Sequence, residues 1–236
     1  MQRALHIIIP VKDSIETAQK AIEQVCRYAP ENARLTVYND FSTAENTSLL
    51  RQMASEKGFC LVNWEEKTCH PSPNYRLTLI DAQEKALEAN ADLLITESDV
   101  FIKSDTIGRL QEAAAEGTGM VAAVTTDEYG NINFPYLYAR KMHGDTISTR
   151  KRLSFCCTLL TAELLHKTDF HALDEQKNWY DVSISHKSRR LGLDNLLVLS
   201  APVIHKPHSS RPWKRLKYSN PIKYYWLKLI HHRDKI

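Results

Sequence analysis

The sequence predicts an α/β fold with a mostly parallel central sheet flanked by helices, and two observations predict it. Short apolar runs alternate with longer segments of helical spacing through the first hundred residues, joined by short polar connections. At 236 residues and 43% hydrophobic, the chain can also bury one full core, so a single large domain accounts for most of it.

The elements follow in order. Residues 4–9, Ala-Leu-His-Ile-Ile-Ile, read as a strand closed by Pro10, and Ser14 is expected to cap a helix over 15–28, in which Ile15, Ala18, Ile22 and Val25 share a face. The order repeats with a strand over 35–38, a helix over 44–57 and a strand over 60–63. After Pro71 and Pro73, a helix over 77–89 leads into the apolar strand 92–96. Ser104 or Asp105 can cap a helix reaching Ala115, and Gly117-Thr118-Gly119 is expected to turn the chain into a strand over 120–125. Beyond this the pattern is more mixed: a hairpin turn at Tyr129-Gly130-Asn131, a strand over 134–140, helices over 159–167 and 180–191, and a strand over 196–199.

Composition excludes several classes. Cys26, Cys60, Cys69, Cys156 and Cys157 form an odd set without a C-x-x-C pair, which argues against a disulfide framework or a structural zinc site, so they read as reduced thiols. The opening residues lack the order of a signal peptide, and no apolar run approaches the roughly 20 residues of a membrane span, so a cytoplasmic protein is expected. Charge divides the chain. From His205 onward nine Lys or Arg face the single acid Asp234, a balance of +8 within a net charge of +3, so the preceding body carries −5. The expected division is a body over 1–208 and a basic, aromatic tail over 209–236.

In open parallel sheets ligands sit at the carboxyl ends of strands, and the turns after Ile9, Tyr38 and Thr96 should share one crevice. They carry Pro10-Val11-Lys12-Asp13, Asn39-Asp40-Phe41-Ser42-Thr43 and Glu97-Ser98-Asp99. In the last, two carboxylates spaced two apart on an extended segment point the same way, and hard oxygen ligands suit Mg²⁺ or Mn²⁺. An isolated triplet of this kind is more often a solvated turn.

Together these turns resemble the family 2 glycosyltransferases of the GT-A fold, whose first strand ends in a Pro-containing turn, second in Asp-Asp-Gly-Ser-Thr and fourth in Asp-x-Asp. Asn74 matches an Asn that the family often carries about two dozen residues before the acidic triplet. The segment from Tyr180-Asp181-Val182 to Gly192 is similar to the family's Glu-Asp-Val-Asp helix, and Val203-Ile204-His205, followed by Ser209, to its late strand ending in His. The likeness covers roughly residues 4–210. Departures are Glu97 for the first Asp, Asn39 for the first of the Asp pair, Phe41 for Gly, Asp81-Ala82 for Arg-Asn, and Tyr180 for Glu.

The resemblance implies an inverting, metal-dependent glycosyltransferase that moves a sugar from a UDP- or GDP-linked donor to an acceptor hydroxyl, in surface-glycan (polysaccharide) or lipid-linked glycan synthesis. It assigns Asp99 and His205 to Mn²⁺ or Mg²⁺, with His208 a weaker alternative, and Asp181 as the general base that takes the acceptor proton. Pro10, Lys12, Asp13, Asn39, Asp40, Asn74, Arg76, Glu97 and Ser98 are the expected donor-binding residues: Asn39 and Asp40 for base and ribose, Glu97 for ribose hydroxyls or a metal-bound water, Lys12 or Arg76 for the diphosphate. Each has a plainer reading too, since Asn39 and Asp40 suit Asx turns and Asp181 suits a helix N-terminus. The rival from another class is a non-catalytic glycan-binding or scaffold protein on the same fold. A nucleotidyltransferase is disfavoured because Val11-Lys12-Asp13 contains no glycine.

In the tail, Asn220 can cap and Pro221 begin a helix with Ile222, Tyr225, Trp226, Leu229 and Ile230 on one side. Such a segment suits peripheral contact with an anionic membrane on its inner face, or packing of its aromatic side onto the domain. Nucleic acid is not expected, since nothing else marks such a fold.

Overall fold

The computed structural model describes residues 3–176 and 179–206, with 220, 222, 223 and 226 near the chain end. The chain divides into two compact units, Met1–Lys206 and Pro207–Ile236. In the second, the Asn220 side chain accepts from the Lys223 backbone N–H at 3.0 Å, as an N-cap does. Expectations for His208, Ser209, Pro221, Tyr225, Leu229 and Ile230 lie outside the described residues.

The first half repeats strand and helix: β1 (Leu5–Val11), α1 (Ile15–Tyr28), β2 (Ala33–Asn39), α2 (Ala44–Lys57), β3 (Cys60–Asn63), α3 (Tyr75–Glu88) and β4 (Asp92–Thr96). There follow β5 (Val100–Phe101), α4 (Thr106–Ala113), β6 (Thr118–Thr126), β7 (Thr146–Ser148), β8 (Cys157–Leu160), α5 (Ala162–His166), α6 (Tyr180–Arg190) and β9 (Asp194–His205). They form one sheet in the order β3-β2-β1-β4-β8-β6-β9-β5, with β7 on β9. β1 to β4 are mutually parallel, β8 runs against both β4 and β6, and β9 parallels β6.

Alternation along each strand sends side chains to opposite faces and so builds two cores. Ile8, Leu93 and Ile95 pack with Leu79 and Ala82 of α3, whereas Ile7, Ile9 and Leu94 pack with Ile22 and Val25 of α1. Strands buried on both sides read as continuous apolar runs, which is why β1 and β4 stand out in the sequence.

Several expectations need correction. β1 continues through Pro10 to Val11, because Pro10 pairs with Tyr38 inside the ladder rather than ending it. Ser14 makes no side-chain cap; with φ of 48° it sits in the left-handed region, and its carbonyl accepts from the Thr17 hydroxyl. Gly119 belongs to β6, not to the turn, and a side chain there has no room: an added Cβ would lie 2.1 Å from Ser188 Oγ and 3.0 Å from Leu193 Cβ.

Segment 134–140 is no strand. Pro135 offers no N–H to a ladder, and the chain instead buries Tyr136 and winds into a 3₁₀ turn over Leu137–Lys141. The expected helix over 159–167 is first β8 and then the short α5, because its apolar start fills the gap between β4 and β6. Short apolar runs do not distinguish buried strand from buried helix.

The close approach at Gly119 gives a direct check. Gly119→Ala should cost about 1–3 kcal/mol by overpacking, measured by urea unfolding. Ser188→Ala should recover part of that cost in the double variant, since the hydroxyl is the nearest obstacle. Additive effects would show that the helix simply moves away.

Candidate active site

Pairing of β2, β1 and β4 in parallel brings their carboxyl ends out on one edge, with Val11 opposite Asn39 and Ile8 opposite Ile95. The first two turns are then laced together. Asp40 N–H donates to the Val11 carbonyl at 2.8 Å, and Lys12 Nζ donates to the carbonyls of Asp40 at 3.2 Å and Phe41 at 2.8 Å. Asp13 accepts from Thr43 N–H at 2.9 Å and Asn46 Nδ2 at 3.3 Å. Phe41 has φ of 58°, a conformation that suits glycine and that costs other residues about 1 kcal/mol or more.

Asn39 does not face the crevice. It is fully buried, its amide donating to Thr47 Oγ1 at 2.9 Å and Asn63 Oδ1 at 3.0 Å while its oxygen accepts from Ser42 N–H at 3.3 Å, so it has no hydrogen left for a base. Asp40 is the half-buried member of the pair. Its carboxylate accepts from Ser72 Oγ at 2.7 Å, Asn74 N–H at 3.0 Å and Asn74 Nδ2 at 2.8 Å, joining the second turn to the start of α3. Arg76, expected near a diphosphate, points elsewhere. Its guanidinium donates to the carbonyls of Leu173 at 2.8 Å and His171, and pairs with Glu175 at 3.0 Å, which ties α3 to loop 171–175.

At the end of β4, Glu97 N–H donates to the Cys156 carbonyl at 3.0 Å, and Val100 N–H turns back to the Glu97 carbonyl at 3.1 Å. Ser98 and Asp99 are buried in this turn. β5 then pairs Val100 with His205 of β9, so the strand that ends in His delivers it beside Asp99. His205 Nδ1 lies 2.9 Å from the Phe134 carbonyl. A carbonyl only accepts, so Nδ1 carries a proton, and in the neutral ring Nε2 then presents the lone pair a metal requires.

That Nε2 is buried without a hydrogen-bond partner and lies 3.7 Å from Asp99 Oδ2. Neighbouring atoms about 2.1 Å from one cation stand roughly 3.0–3.4 Å apart, somewhat closer than this pair. Ligand atoms of Glu97, Cys156 and His205 also fall within 4.8 Å of one another. An imidazole, two carboxylates and a thiol are a donor set that a divalent cation fits. Burial, and then the charge of Glu97, push the Cys156 thiol well above its ordinary range; it donates to Glu97 Oε2 at 3.5 Å.

Asp181 lies in the first turn of α6, and its carboxylate pairs with Arg152 at 2.9 Å and accepts from Val182 N–H at 2.9 Å. Burial raises its pKa, and the Arg152 guanidinium opposes that rise. Arg152 also stands over the rings of Phe134 at 5.8 Å and Trp179 at 5.9 Å. Segment 152–156 connects the two chemical centres: four residues after Arg152 comes Cys156, so their Cα atoms are at most about 14 Å apart. Tyr75, packed against Phe155 at 6.4 Å and Tyr180 at 6.3 Å, holds α3, this segment and α6 together.

Sequence reasoning missed Cys156, Arg152 and the Phe134 carbonyl. None carries a local signal, because each acts through a partner on another strand or helix; the apolar run ending at Leu160, recognised as a strand beside β4, would have placed Cys156 opposite Glu97. Asp81, one of the departures, accepts from Tyr38 Oη at 2.6 Å and pairs with Lys85, a structural use of the position.

No protein-family model matches the sequence, and no curated protein matches it. Solved structures do. A mannosyltransferase from Pyrobaculum calidifontis, PcManGT, in complex with GDP-Man and Mn²⁺, aligns with a TM-score of 0.67 over 100% of this chain and 66% of its own, at 15% identity. GalNAc-T7 with UDP, GalNAc and Mn²⁺ aligns at 0.64 over 86% of this chain and 44% of its own, at 13% identity, and a mycobacterial protein at 0.59 over 91% and 70%, at 15% identity. This chain thus spans about two thirds of the first and under half of the second. The fold is of the GT-A type, a mixed α/β domain shared with these glycosyltransferases.

Asn74 is the joint between turn and helix. Asn74→Ala removes two side-chain donors and leaves the Asp40 carboxylate and the His70 carbonyl short of partners. A loss of about 1–3 kcal/mol in denaturant unfolding is expected. A variant as stable as the parent would mean that water replaces Asn74 at no cost.

Proposed function

We propose that this protein is an inverting glycosyltransferase of the family 2 type, which transfers a sugar from a nucleotide diphosphate donor to an acceptor hydroxyl. The observation that carries the reading is the His205 imidazole, pinned through Nδ1 and offering a buried, unbonded Nε2 3.7 Å from Asp99 at the end of β4. Asp99, His205 and Glu97 would hold a divalent cation, Mn²⁺ or Mg²⁺ in the first instance, which supplies charge stabilisation for the departing diphosphate.

The remaining work falls to residues of the chain. Asp40 uses three of the roughly four acceptor positions of its carboxylate internally, which leaves one to accept a base N–H or a ribose hydroxyl. Pro10, Lys12, Asp13 and Asn74 shape that turn, and Asn39 supports it from beneath. Asp181 takes the acceptor proton as the hydroxyl attacks from the face opposite the departing diphosphate. Its raised pKa favours proton acceptance, and Arg152 keeps the carboxylate ionised and fixed in direction. The half-exposed rings of Trp179 and Phe134, beside Arg152, suit the apolar face of an acceptor sugar.

The basic tail and its exposed Ile222 and Trp226 support a role at an anionic membrane surface, where lipid-linked acceptors lie. Among the described residues no helix is long and apolar enough to cross a membrane.

Calorimetry with GDP- and UDP-sugars in Mn²⁺ should show donor binding that chelation or Asp99→Ala removes. Absence of binding across such a panel would leave the non-catalytic reading instead. Asp181→Asn should bind donor as the parent does but transfer about 10²–10⁴ times more slowly. The pH profile carries a sign. Since Arg152 lowers the Asp181 pKa, Arg152→Gln should move the acidic limb of kcat/KM to higher pH; a limb that stays in place would remove Asp181 as the titrating base.

A further inference from the structure

We propose that Cys156 Sγ is itself a ligand of the centre formed by Glu97, Asp99 and His205, and that this centre takes a thiophilic divalent cation such as Zn²⁺ or Co²⁺ in preference to Mg²⁺. The inference rests on the metal-dependent reading above and deepens it.

Three observations converge. Cys156 is placed by the sheet: its carbonyl receives the Glu97 N–H, so the thiol is carried to the end of β4 by backbone pairing rather than by a mobile loop. Its sulfur, 3.5 Å from Glu97 Oε2, belongs to the same group of ligand atoms as His205, all within 4.8 Å, and the residue is only 3% exposed. Independently, His205 Nε2 is buried in this group without a hydrogen-bond partner, and the Phe134 carbonyl holds its ring from behind. A histidine ligand oriented by a carbonyl on its other nitrogen is the usual arrangement at a metal.

The chemistry of the set then decides the ion. Carboxylates alone suit Mg²⁺ or Mn²⁺, whereas a thiolate and an imidazole shift preference toward Zn²⁺ and Co²⁺. A thiolate beside the Glu97 and Asp99 carboxylates would be repelled without a cation. On binding, the thiol proton passes to solvent and the sulfur joins the carboxylates around a positive charge.

Cobalt reports this directly. Titration of the reduced full-length chain with Co²⁺ should produce a near-ultraviolet sulfur-to-cobalt charge-transfer band that saturates at one equivalent. Cys156→Ser should abolish the band while retaining weaker cobalt binding through Asp99 and His205, and calorimetry should show Zn²⁺ affinity lowered about tenfold or more with Mg²⁺ affinity little changed. Cys156→Ala serves if the serine variant does not fold, and Asp99→Ala in the otherwise native chain should diminish the same band. Cobalt binding without the band, or a band that survives loss of Cys156, overturns sulfur ligation and leaves the metal centre standing. Failure of the parent chain to bind Co²⁺, Zn²⁺ or Mn²⁺ overturns both.

Discussion

A single backbone hydrogen bond, from Glu97 N–H to the Cys156 carbonyl, stands where β4 passes its register to an antiparallel neighbour, and the site is arranged around it. β8 opposes both β4 and β6, so the chain must approach the crevice through segment 152–156 before entering the sheet. That approach places Arg152 on Asp181, the Leu153 and Ser154 N–H groups on Ser185 and Tyr136 hydroxyls, and Cys156 beside Glu97. Slipping β8 by one residue would turn all of these side chains to the other face at once.

The polar groups of the crevice divide into those that build and those left to act. Asn39, Asn74, Asp13 and Arg76 spend their hydrogen bonds on the protein, where burial would otherwise leave them costly. His205 is the contrary case. One nitrogen is satisfied and the other is not, although the side chain is almost wholly buried. Asp181 is intermediate, its desolvation partly opposed by a guanidinium that also stands near two aromatic rings.

The early elements were legible because their signals are local. α1, α2, β3 and β4 fall where periodicity and turn residues place them, since strands buried on both faces and helices with one apolar stripe write those patterns into consecutive residues. The later half was misread where the meaning of a run depends on what lies beside it. The residues before Leu160 carry enough apolar side chains for either helix or strand, and an open position between β4 and β6 made them a strand. Gly119 looked like a turn residue because a sequence cannot show Ser188 pressing on its Cα.

For the site, the chain order alone determined which turns would meet: polar sequences after three parallel strands must emerge on one edge, and Asp40, Asp99 and the helix-start Asp181 were all readable as candidates. Which of their neighbours can act was decided only by tertiary structure. Lys12 and Arg76 look alike in sequence as cations near a phosphate site, yet one bonds to carbonyls of the next turn and the other to a loop about a hundred residues away. Cys156 looked like one more reduced thiol. Antiparallel pairing with β4 set it beside the Glu97 carboxylate and the His205 imidazole, because side chains distant in sequence share a centre only when strands bring them into register.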